Sequence, residues 1–81
     1  MTIQDKETEF VVFCIENTAA KLGITGTELY CHLEQIGGIK SFLYPSYQAL
    51  HTQSKDYIVD ETINYIKEKS PDFLKTKGVT A

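Results

Sequence analysis

The sequence predicts an all-α fold, a compact bundle of four to five short helices forming one domain over residues 1–81, with an ordered core from about 7 to 75. Three observations predict it. Apolar residues recur at intervals of three and four through most of the chain, the spacing of one face of a helix. The five glycines and two prolines fall between those segments, where helices start and stop. The one run that alone would suit a buried strand, Phe10–Ile15, has no second strand to pair with.

The first helix is read over Thr8–Leu22. Val11, Ile15, Thr18 and Leu22 form its stripe, Phe10, Cys14 and Ala19 flank it, and Gly23 ends it. Val12 and Phe13 lie off the stripe. Such a helix is either central or presents a second apolar face to a partner. Thr25-Gly26-Thr27-Glu28 is a capping box that opens the second helix. Leu29, Leu33 and Ile36 carry its stripe, with Tyr30 alongside, until Gly37-Gly38. Ile39–Gln53 reads as a helical turn at Lys40–Leu43, a break imposed by Pro45 on Tyr44, and a helix over Pro45–Thr52 that buries Tyr47 and Leu50. Ser54 caps the next helix, with Asp56 in its first turn, Ile58, Val59, Thr62, Ile63 and Ile66 on its stripe, and Lys67 and Lys69 at its end. Ser70-Pro71 stops it and caps a last turn, Pro71–Lys75, that lays Phe73 and Leu74 on the body, with Gly78 beyond and a fraying end.

The charge balance excludes some functions. Eight basic residues against eleven acidic ones give −3, and all eight are lysine. Without arginine the chain lacks the planar fork for bidentate capture of phosphate or guanine. Residues 1–40 hold three lysines against six acids, so the whole deficit lies there. The longest apolar run, six residues, is far short of the roughly 20 that cross a bilayer. Residues Met1–Glu9 show no export signal, and two cysteines in such a chain are expected as buried, reduced thiols. These features predict a soluble cytoplasmic protein.

Glu9–Glu16 and Leu50–Glu61, with Leu50-His51-Thr52-Gln53-Ser54 as the most distinctive part, resemble a family of short bacterial proteins, domain of unknown function 3791. The likeness runs over roughly Glu7–Lys69. The resemblance implies no catalytic residues. It implies a context, because such proteins are often encoded beside proteins resembling ADP-ribosyltransferase toxins, and hence an accessory or antitoxin-like role.

No residue set points to catalysis or a cofactor. His51, with Asp56 or Asp60 to orient it, has the ingredients of a general base, but a histidine at a helix junction more often serves the last backbone carbonyls. Cys14, Cys31, His32 and His51 lack the short pairwise spacing of zinc ligands, so no metal is expected. Ala19, Gly23 and Leu29 match helix-turn-helix spacing, yet the would-be recognition helix carries Glu28 and Glu34 and no lysine. The five tyrosines are candidates for one aromatic surface. The expected function is therefore binding of another protein, a toxin-like enzyme or a second copy, through Val12, Phe13, Tyr44, Tyr57 and His51, with no membrane and no nucleic-acid partner. The alternative is an acidic helix-turn-helix regulator that acts on DNA with a partner.

Overall fold

A computed structural model describes residues 3–76. The predicted fraying of the end and the place of Gly78 lie outside the described residues. Five α-helices and one π-helical turn follow one another: α1 (Ile3–Leu22), α2 (Gly26–Gln35), the π turn (Ile39–Leu43), α3 (Tyr47–Leu50), α4 (Lys55–Lys69) and α5 (Pro71–Thr76). Among the described residues there is no strand.

Helix α1 is the central element, packing against α2, α3, α4 and the π turn. Its whole expected stripe is buried, and so are Phe10, Cys14 and Ala19. Leu29 and Leu33 of α2, Leu43 of the π turn, Ile66 of α4 and Leu74 of α5 meet it in one core. The helix begins five residues before the expected Thr8. That extension holds one apolar residue, Ile3, and no repeating stripe.

The predicted boundaries elsewhere rest on local chemistry. Gly23 takes a φ of +75°, and the amides of Gly23 and Ile24 donate to the carbonyls of Ala20 and Ala19, closing α1 with a Schellman motif. Thr25 is extended and its hydroxyl accepts from the Glu28 amide at 3.0 Å. Ser54 does the same for Tyr57 at 3.2 Å, so α4 starts where it was expected.

Residues 39–53 depart from expectation. The Lys40–Leu43 turn is a π turn starting at Ile39, in which the Tyr44 amide donates to Ile39 five residues back at 3.1 Å. Tyr44 stays helical at φ −62° and ψ −48° despite the following proline. Tertiary anchors outweigh the local clash: Leu43 is fully buried, and the Tyr44 hydroxyl shares a 3.0 Å hydrogen bond with that of Thr8. The Pro45–Thr52 helix shrinks to Tyr47–Leu50. The chain must leave helical geometry before Ser54, which needs an extended backbone to cap α4.

No helix among the described residues is long and apolar enough to cross a membrane.

Candidate functional site

A helix that buries one stripe exposes the other, and on α1 the exposed side carries two large apolar residues among polar ones. Val12 is 51% exposed and Phe13 40%. Both are consecutive on a helix, so their side chains diverge by about 100°. They form a ridge with an open groove on each side.

The first groove lies between α1, α2 and the π turn and has a volume of about 510 Å³. Val11, Val12, Ile15 and Ile39 are its apolar lining, Tyr30 and Tyr44 its aromatic walls, and Glu34 and Lys40 part of its rim. A shallower extension of about 240 Å³ shares Val12, Ile15 and Tyr30 and continues past Glu16 to Gly26 and Thr27. A side chain at Gly26 would collide with the Glu16 carboxylate, which lies against the first turn of α2. This placement suits an anion at a helix N-terminus. Near the groove's middle the Tyr30 hydroxyl donates to Glu34 Oε2 at 3.3 Å. The negative charge of Glu34, and then this bond, hold the Tyr30 hydroxyl above the usual phenol range.

The second groove, about 450 Å³, is lined by Lys6, Glu9, Phe10, Phe13, Tyr47, His51, Gln53 and Ile58. His51 is exposed and stacks on Tyr47 at 4.5 Å, with planes 12° apart, and Tyr47 meets Phe10 edge-on at 5.5 Å. His51 thus does not tie off the carbonyls of α3 with its ring. Asp60, one of its two expected orienting acids, pairs instead with Lys21 at 3.1 Å.

The expected partner-binding residues therefore separate. Val12 and Tyr44 belong to the first groove, Phe13 and His51 to the second. Tyr57 is 48% exposed on the first turn of α4 and lines neither. The tyrosines do not gather on one surface, since Tyr65 stacks on Phe42 at 4.6 Å and donates to the Ile36 carbonyl. Tyr30, one of the five candidate tyrosines but not among the residues singled out for the partner, is 42% exposed and lines the first groove. Its signal was position: with Leu29 and Leu33 facing inward, the neighbouring position 30 must turn outward.

The cysteines also separate. Cys14 is fully buried, and burial pushes its thiol up to about 12. Cys31, expected inside, is exposed, because it follows Tyr30 on the outer side of α2. Among the described residues no three metal-ligating side chains gather.

The fold and this surface define a small all-α domain with an apolar ridge between two open grooves. The chain belongs to the family described as protein of unknown function, DUF3791, whose model matches residues 9–69. No curated protein and no solved structure matches it significantly.

Proposed function

We propose that the protein is a small bacterial interaction module that binds another protein through the Val12–Phe13 ridge. The observation that carries this reading is the exposure of two consecutive large apolar residues on the helix that also organises the core. Tyr30 extends the apolar surface on one side, and Phe10, Tyr47 and His51 extend it on the other. Aromatic residues supply large contact area at low entropic cost. The engagement of Asp60 with Lys21 supports a binding role over one in which that acid serves a catalytic His51. The client is a toxin-like enzyme of the ADP-ribosyltransferase kind, which the chain serves as an accessory or antitoxin-like partner in the cytoplasm. Two free thiols accord with that reducing compartment. Co-expression with the neighbouring enzyme, followed by size exclusion with light scattering, tests the reading. A stable complex of both chains supports it. A strict monomer whose neighbour never copurifies overturns it.

A second reading is favoured by one observation, the three-residue connection between α1 and α2, which suits a helix-turn-helix. It makes the chain an acidic regulator that reaches DNA with a basic partner. Against it, the exposed positions of α2 are Thr27, Tyr30, Cys31, Glu34 and Gln35, with no lysine to meet phosphate. A salt-dependent shift of the protein's own promoter in the presence of the partner would favour this second reading over the first.

A further inference from the structure

We propose that the groove between α1, α2 and the π turn receives an amphipathic helix of the partner, one whose apolar stripe is flanked by lysine or arginine. This inference rests on the protein-binding reading above and adds which groove is used and what fills it.

The dimensions suit a helix. The lining residues on α1 run from Thr8 to Glu16, about 12 Å along the axis, or a little over two turns. Val11, Val12, Ile15 and Ile39 offer an apolar lining and Tyr30 and Tyr44 two flat walls, which suits side chains spaced three and four apart. A strand would need a sheet edge to pair with, and the described residues have no strand. One end of the groove is built by the π turn, through Ile39 and Lys40, and such wide turns recur at functional sites.

Charge selects the occupant. Glu16 stands at one end of the groove and Glu34 beside Tyr30. Neither carboxylate has a lysine within ion-pair distance among the described residues, where the ion pair present joins Lys21 to Asp60. Cations flanking the incoming helix would complete both. Lys40, also without an ion pair, marks the end where the occupant carries an acid or its own carboxyl-terminal end.

The test uses two synthetic helical peptides of about 14 residues with one leucine stripe, flanked in one by lysine and in the other by glutamate. Amide resonances of the labelled full chain are followed at about 0.05 M and 0.5 M salt. The lysine peptide is expected to move Val12, Ile15, Tyr30 and Ile39, and to bind less well at high salt. The isosteric double variant Glu16→Gln, Glu34→Gln is expected to bind the lysine peptide about fivefold more weakly at low salt, with no such loss for the glutamate peptide. Equal binding of both peptides overturns the inference. So do shifts confined to Phe13 and His51, or shifts at the groove that grow with protein concentration alone. The broader reading fails separately. If the neighbouring enzyme copurifies and is lost with Phe13→Asp but retained by the double glutamine variant, the protein is a binding module and this groove is not its site.

Discussion

The imidazole of His32 lies flat on the ring of Phe73, with centroids 3.7 Å apart and planes 9° apart, while its Nε2 is hydrogen-bonded to Ser70 Oγ at 2.6 Å. The contact joins α2 to the α4–α5 junction. Ser70 stands where the last turn was expected to be capped: its carbonyl accepts from the Phe73 amide at 3.0 Å, and its hydroxyl reaches back to the Ile66 carbonyl at 3.4 Å and outward to His32.

Partial burial holds the His32 imidazole below its ordinary value of 6.5. The folded state therefore binds a proton less readily than the unfolded chain, so acid favours unfolding. The contribution is fully present above about 6.5 and is lost as pH falls through the lower folded-state value. Melting curves across that window should show the midpoint falling toward acid. His32→Gln should flatten the part of the slope that His32 supplies. An identical slope in the variant would remove His32 as its source.

The core and the ridge should respond very unequally to truncation. Leu33 and Ile66 are fully buried, and Leu33→Ala or Ile66→Ala should each cost about 2–5 kcal/mol in chemical denaturation. Val12→Ala should change stability by about 0.5 kcal/mol or less, since half of the side chain is already in water.

Thr18 is fully buried, and its hydroxyl has no hydrogen-bond partner among the described residues. Thr62, equally buried on α4, donates to the Ile58 carbonyl at 2.9 Å. Thr18→Val keeps the shape and removes the unpaired group, so denaturation should show a gain of about 1–2 kcal/mol. Thr62→Val loses a formed bond and should gain less.

The two thiols should differ in kinetics. An aromatic disulfide reagent near pH 8 should titrate Cys31 rapidly in the folded protein. Cys14, buried and with its thiol near 12, should react only after denaturant is added. Two fast equivalents would contradict the packing of α1.

The sequence made legible whatever depends on neighbours a few residues away. The Thr25 and Ser54 caps, the Gly23 terminator and the buried stripe of α1 were all readable, because each needs only a short stretch of chain. Val12 and Phe13 were readable as off-stripe residues for the same reason. The π turn was not, because Tyr44 is held by Thr8, 36 residues away. Nor was the His32 contact, whose partner Ser70 is 38 residues distant. The early start of α1 carries no sequence signal, because Gln4–Glu7 is a polar stretch without apolar period. The grooves were hidden for a further reason, since how α2 and α3 rotate against α1 decides which neighbours Val12 and Phe13 acquire.

The measurement that bears most directly on the central claim is copurification of a co-expressed toxin-like enzyme, the client proposed above, by the wild type and by Val12→Asp and Phe13→Asp, with melting curves on each protein. The account predicts a complex with the wild type, its loss in both variants, and melting midpoints close to the wild type because both positions are exposed. Capture that survives both substitutions would contradict it, because the ridge would then not be where the partner binds.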